Sequence, residues 1–279
     1  MKTRQFLLFA LTAVTLSSCK TVYYQVYKAV PTEQLTIEQN TLAYEDENCK
    51  VAYNLWADGG DIGFSFYNKT DHNIYLNMAE SFFILNGVAH DYYKDRKFVS
   101  GSTIGSNVST GVSASVDVTG FNFLNLLQTN SGQASKKQGI LRTTEQSVTY
   151  NEKEVVCIPP GTKKNISEYK VTDMLFRDCD LLRYPERKQV HTKKFYVTES
   201  PLLFSNRLAY TVGESKELIR FENGFYVSEI TNYPEKEITK YGYYEFCGQK
   251  SPKQELYFKN PAPDNFYIRY EKTDLHWKH

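Results

Sequence analysis

Chemistry in this chain would have to come from few residue types. It holds five histidines, and His90 stands directly before Asp91, a combination suited to proton transfer. Neighbours in a strand point to opposite faces, so surface polarity accounts for the pair more simply. His276 and His279 flank Trp277 and Lys278, where two imidazoles could hold a divalent metal adventitiously, but a solvated tail accounts for them more simply. Asp58-Gly59-Gly60-Asp61 carries part of the oxygen set of a calcium loop without the further ligands such a shell requires, and reads as a tight hairpin turn. Asp178-Cys179-Asp180 offers two carboxylates on one strand face or a thiol between acids, and reads more simply as a polar corner carrying a disulfide. No G-x-S-x-G, H-E-x-x-H or P-loop pattern occurs. Tyr23, Tyr24 and Tyr27, Tyr92 and Tyr93, and Tyr241, Tyr243 and Tyr244 could form platforms for sugar rings or a protein partner, although cross-strand packing is the more ordinary use of such clusters.

Five cysteines are present. Cys49, Cys157, Cys179 and Cys247 lack the C-x₂-C spacing of zinc ligands. In an exported chain they are candidate disulfide cysteines, and their three pairings are not ranked by sequence. Cys19 differs from them in its context. Met1-Lys2-Thr3-Arg4 is basic, and residues 6–16 are apolar except for Thr12 and Thr15. Eleven helical residues span about 16 Å, too short for a stable membrane crossing, so the segment reads as a leader that is removed. The leader closes on Leu16-Ser17-Ser18-Cys19, which resembles a lipobox: a branched apolar residue and two small ones admit the lipoprotein signal peptidase, and the cysteine thiol accepts diacylglycerol. The resemblance implies lipidation at Cys19 and a bacterial envelope lipoprotein. Lys20 follows in place of the Asp that retains similar lipoproteins of enterobacteria at the inner membrane, and in place of the acidic cluster that resembles a surface-export signal in Bacteroidota lipoproteins. A periplasm-facing position at the outer membrane is therefore expected.

The elements that must position these residues are strands. Loss of residues 1–18 removes Lys2 and Arg4, leaving 31 basic against 32 acidic residues, which argues against nucleic acid as a partner. Aromatic residues make up 15 % of the chain, 22 of them Tyr, a composition that favours sheet. Residues 21–30 read as an initial strand. Val51, Tyr53 and Leu55, then Ile62, Phe64 and Phe66, then Ile74, Leu76 and Met78 alternate with polar or small neighbours, and residues 82–85 lead into Asn86-Gly87, the preferred pair of a type I′ hairpin. Further strands are expected at 154–158, 193–197, 202–210, 257–258 and 266–270. Asn223-Gly224 predicts a second hairpin between 218–221 and 225–227. Helix is confined to 123–128 and 173–182. Residues 100–120 are rich in Gly and Ser, with a period of two over 107–119 that suits either a flexible insertion or, less simply, a membrane-inserting hairpin.

Short strands separated by turns every eight to twelve residues predict an all-β, antiparallel β-sandwich. Over residues 49–170 the strand order resembles immunoglobulin-like envelope domains, and the whole chain, with its Tyr- and Asn-rich strands, resembles lipoproteins common in gut Bacteroidota. The expected organisation is a signal peptide at 1–18, a lipidated N-terminus and first strand at 19–48, and a sandwich domain at 49–279 with a flexible insertion at about 99–147. The function expected is that of a non-catalytic binding or structural module of the envelope, held by lipid and contacting an envelope protein or glycan, with no cofactor beyond the lipid on Cys19. An envelope hydrolase built around His90 or His191, and a membrane-perturbing protein using residues 103–120, are the alternatives.

Overall fold

The structure, a computed structural model, describes residues 21–33, 35–38, 40–105 and 143–272. It is all-β, its sheets are antiparallel, and one is strongly curled into a half-barrel. In chain order the strands are β1 (Val22–Pro31), β2 (Thr36–Glu38), β3 (Thr41–Glu45), β4 (Cys49–Tyr53), β5 (Phe64–Asn68), β6 (Ile74–Asn77), β7 (Phe82–Leu85), β8 (Val88–Asp91) and β9 (Lys97–Gly105). They continue with β10 (Thr143–Asn151), β11 (Val155–Ile158), β12 (Lys163–Ile166), β13 (Thr192–Lys194), β14 (Leu203–Val212), β15 (Ile219–Pro234), β16 (Thr239–Phe246), β17 (Gln249–Phe258) and β18 (Asn265–Glu271), with a four-residue helix α1 (Glu235–Ile238) before β16.

Nine strands form one sheet with the path β11-β6-β14-β15-β1-β18, to which β13 adds on β15 and the β7–β8 hairpin adds on β14; five form a second with the order β12-β5-β4-β3-β2. Strands β9 and β10 pair as a ribbon, and so do β16 and β17. The chain falls into two compact units, one made by the described residues up to Lys94 and from Lys153 on, the other by those of Asp95–Glu152. The smaller unit is the β9–β10 ribbon, paired from Lys97 with Asn151 to Gly105 with Thr143. Its base is closed by Arg96, whose Nε donates to Glu152 Oε1 at 3.0 Å. The pattern at 107–119 and the helix expected at 123–128 lie outside the described residues.

Period-two alternation places the core as expected. In β4, Cys49, Val51 and Tyr53 are buried; in β5, Phe64 and Phe66; in β6, Ile74 and Leu76. The β4 and β5 side chains meet the inner face of the nine-stranded sheet, to which β6 belongs, ring against ring: Tyr53 edge-on to Phe225 (5.6 Å between centroids) and Phe66 to Tyr210 (5.6 Å). Tyr27 of β1 and Phe266 of β18 stack at 4.6 Å and 6°. Aromatic pairs of this kind contribute about 0.5–1.5 kcal/mol beyond the area they bury. The Asn86-Gly87 hairpin is present, with φ of 48° and 82° and Leu85 paired to Val88, the two left-handed positions a type I′ turn requires.

Three local expectations are corrected. Asn223-Gly224 makes no turn: both residues lie inside the sixteen-residue β15, and neither has a positive φ. The turn falls instead at 213–218, after Tyr210 pairs with Ile219. The reason is tertiary. Asn223 Oδ1 accepts a hydrogen bond from the buried Tyr53 hydroxyl at 2.8 Å, and the bare Gly224 makes room for Thr32, whose Oγ1 would stand 2.5 Å from a Cβ there. Residues 173–182 form no helix. Their backbone groups are taken by buried amides of the sheet: Phe176 N–H donates to Gln25 Oε1 (2.7 Å), Gln25 Nε2 to Phe176 O (2.9 Å) and Asn232 Nδ2 to Leu182 O (2.9 Å). Side-chain partners of this kind compete with the helical pattern.

Asp58-Gly59-Gly60-Asp61, third, is no tight hairpin but part of the ten-residue connection between β4 and β5, bridged to Tyr267 by Asp58 and to Lys170 by Asp61. Gly60 has φ 76°, and a Cβ added there would lie 2.9 Å from Phe266 Cγ and 3.0 Å from Val171 Cγ2. Gly60→Ala should therefore cost about 2–4 kcal/mol, from left-handed backbone strain plus overpacking of the core. A matching fall in the urea midpoint without a change of slope is the expected observation.

Candidate functional site

At the end of the nine-stranded sheet where β1 begins, the β1–β18 pair, the 54–61 connection and the root of the β16–β17 ribbon enclose a cleft of about 200 Å³ lined by Tyr24, Asp58, Thr239, Leu256, Tyr257, Phe258, Tyr267 and Arg269. Strand register builds it. Tyr24 pairs with Arg269, and residues 267 and 269 share one face of β18 because they are two apart. Thr239 pairs with Phe258 and Tyr241 with Leu256, so the first rungs of the ribbon stand over the sheet's edge.

The apolar wall includes Tyr24, Phe258 and Tyr267, which form one ring cluster with Trp56 beside them. Phe258 lies 4.6 Å from Tyr267, 4.9 Å from Trp56 and 5.5 Å from Tyr24; Trp56 lies 5.1 Å from Tyr267. The polar wall carries one charge of each sign. Asp58 Oδ1 accepts the Arg269 backbone N–H at 3.3 Å, and the Arg269 guanidinium donates to Glu271 Oε1 at 3.3 Å. Burial raises the Tyr24 phenol above its ordinary value, with Glu235 adding to the effect and Arg269 opposing it; burial also raises Tyr267, helped by Asp58. Both phenols stay protonated at neutral pH and present O–H groups beside the rings. Such a surface can hold a flat, hydroxyl-bearing or amphipathic group by stacking and hydrogen bonding.

Beyond the cleft the ribbon carries Tyr241, Tyr243, Tyr244 and Phe246, all exposed to solvent. Gly242 sits opposite the Tyr257 ring, 3.3 Å from where its Cβ would be. The pairing shifts between Tyr243 and Glu245, where β17 holds extra residues around Pro252, a placement that spares proline a ladder position. Cys247 (φ 50°) and Gly248 (φ 76°) close the turn.

The residues singled out by sequence do not converge. His90 stacks on Phe83 at 5.8 Å, and Asp91 is exposed, its carbonyl accepting the Tyr169 hydroxyl. His191 is exposed. Asp178 and Asp180 hold Lys193 at 2.6 and 3.5 Å, and that hydrogen bond lowers the Asp178 pKa. Among the described residues no three His, Cys, Asp or Glu side chains are placed to hold a metal, and no helix is long and apolar enough to cross a membrane. Cys49, Cys157, Cys179 and Cys247 are free thiols; Cys49 is buried and the others are exposed. Burial, then the neighbouring Asp46, pushes the Cys49 pKa up. Cys19, His276 and His279 lie outside the described residues. Of the tyrosine clusters, Tyr27 and Tyr92 are core, Tyr24 reaches the cleft, and the 241–244 group is exposed. Trp56, Phe258, Tyr267 and Arg269 were not legible as a group, since they meet only through the pairing of β1, β18 and the ribbon. Comparison with protein-family models, with curated proteins and with solved structures finds no match for the chain.

Proposed function

We propose that this protein is a lipoprotein of the bacterial outer membrane, held through lipid on Cys19 on the periplasmic side, whose β body binds another envelope component, protein or glycan, without chemistry of its own. In this reading the body is a β-sandwich of immunoglobulin-like architecture, a form supported by the single core in which side chains from the nine- and five-stranded sheets meet. The observation that carries the binding role is the cleft: the clustered rings of Tyr24, Phe258 and Tyr267, two of them protonated phenols, with a carboxylate and a guanidinium on the rim, make a recognition surface, and no histidine stands among its lining residues.

Leu256→Arg tests it. Residue 256 is exposed and lines the cleft, so the substitution fills the space without touching the core. Tagged wild-type protein, isolated from membranes, should recover the same envelope component each time. The variant should recover about a tenth as much or less, the result of losing roughly 1.4 kcal/mol or more of binding. Wild-type protein that repeatedly recovers neither protein nor glycan would refute the reading.

A further inference from the structure

The twenty residues from Thr239 to Phe258 hold five of the thirteen large apolar side chains that stand exposed among the described residues: Tyr241, Tyr243, Tyr244, Phe246 and Leu256. Tyr241 and Phe246 are each 68 % exposed. Successive side chains of a strand point to opposite faces, so Tyr243 and Tyr244 put aromatic surface on both sides of the ribbon. A partner docking on one face would leave the other in water. A medium that surrounds the ribbon's end covers both.

The place where the ribbon is rooted identifies that medium. Pro234, at the end of β15, pairs with Tyr23; α1 follows at once, and Phe258 closes on Tyr24. The ribbon therefore springs from the first residues of β1. Cys19 precedes Tyr24 by five residues, and extended chain covers at most about 3.6 Å per residue, so a lipid on Cys19 would be tethered to Tyr24, which touches the ribbon's root, by no more than about 18 Å of chain. The eight residues of β16 extend about 27 Å at 3.4 Å each. A ribbon of that reach, tied so close to the lipid, can meet the bilayer.

We infer that the β16–β17 ribbon is a second membrane contact, seating its aromatic end in the interfacial layer of the bilayer that holds the lipid and so fixing how the body stands on it. The inference rests on lipidation of Cys19. Its chemistry suits the interface: tyrosines prefer the headgroup layer, where ring and hydroxyl are both satisfied. Lys240, Lys250 and Lys253 are exposed along the ribbon and can lay their methylene stems toward the membrane while the ammonium groups meet phosphates. Glu245, opposite Lys250, limits the seat to the interface rather than the acyl core. The lipid retains the protein, and the ribbon sets its orientation.

The exposed thiols supply the test. Cys247 is at the ribbon's turn, whereas Cys157 is in β11 and Cys179 in the 173–182 segment. Three variants of the lipidated full chain, each keeping one of these cysteines and carrying Ser at the other two, are labelled with an environment-sensitive fluorophore. They are then reconstituted into vesicles of phosphatidylethanolamine and phosphatidylglycerol. Acylation of the N-terminal peptide is checked by mass. The Cys247 probe should shift to the blue and lose most of its emission to a quencher carried on the lipid near its headgroup, while the other two probes stay open to aqueous iodide. Adding Tyr241→Ser, Tyr244→Ser and Phe246→Ser to the Cys247 variant should abolish the shift. Three probes equally open to iodide would overturn the inference. So would a Cys247 probe that ignores vesicles but responds to solubilised envelope glycan or protein, which would make the ribbon part of the ligand site. An N-terminal peptide without acyl mass would refute the anchor itself, and the ribbon's role with it.

Discussion

Cys19→Ala should move the protein from the membrane fraction to the soluble fraction and leave its β body folded. Burial of acyl chains contributes about 0.8 kcal/mol per CH₂, so a chain of a dozen methylenes is worth on the order of 10 kcal/mol, and two such chains suffice to hold a protein at a bilayer. Without the thiol there is no atom to accept diacylglycerol. The apolar part of the leader, about 16 Å long as a helix, is short of the roughly 30 Å of hydrocarbon it would have to span if it remained. The described strands begin at Val22, and the core residues among them lie at Tyr27 and beyond. Wild type and variant should therefore share a far-UV spectrum and a urea midpoint while differing by the acyl mass on the N-terminal peptide. If the variant stays with membranes after an alkaline wash, the lipoprotein reading is wrong. A single hairpin at the interface would bury far less apolar surface than an acyl pair, so ribbon contact alone should not retain the variant.

The largest stability loss is expected at Asn206. Its side chain is wholly buried in β14 and joins three parts of the molecule. Oδ1 accepts the Tyr92 hydroxyl at 2.7 Å, and Nδ2 donates to the carbonyl of Ile62, just ahead of β5, at 2.9 Å. Asn206→Ala leaves a buried hydroxyl and a buried carbonyl without partners. Each unsatisfied group costs about 1–3 kcal/mol, so the loss should reach about 3–5 kcal/mol, a large part of the 5–15 kcal/mol that holds a typical domain together. Tyr92→Phe removes one hydroxyl and should cost only about 1 kcal/mol. In the double variant the Tyr92 orphan is gone, so the two losses should add to less than their sum. Urea denaturation of the four proteins measures the cycle. Strict additivity would show that Tyr92 and Asn206 are not coupled.

Legibility varied with the range over which a feature is decided. Alternation of Val51 and Tyr53 with polar neighbours announced β4 because the pleat itself sorts side chains to two faces. Asn86-Gly87 announced a hairpin because two left-handed residues are a local requirement. Asn223-Gly224 is the same dipeptide and lies mid-strand, since Tyr53, 170 positions away, binds the Asn and Thr32 packs where the Gly has no side chain. The 173–182 segment has helix-forming residues, yet Gln25 and Asn232 take its backbone groups. Both outcomes were set by partners that local pattern does not contain. The ribbon's aromatics were visible as Tyr241, Tyr243 and Tyr244, but their exposure was not, because identical Tyr clusters at 23–27 are buried in the sheet.

The sequence by itself determined the features that need only neighbouring residues: an apolar run at 6–16 followed by Leu16-Ser17-Ser18-Cys19, a near-neutral and Tyr-rich composition, and all-β character with most of its strands. Tertiary structure alone decided that β1 is flanked by β15 and β18, that Tyr24, Trp56, Phe258 and Tyr267 form one cluster, and that the exposed ribbon rises beside the first strand. The physical reason is the same throughout. Leader chemistry and strand alternation are set by a few consecutive residues, whereas a cleft is made by pairings between segments more than two hundred residues apart, whose energy exists only once the chain has closed on itself.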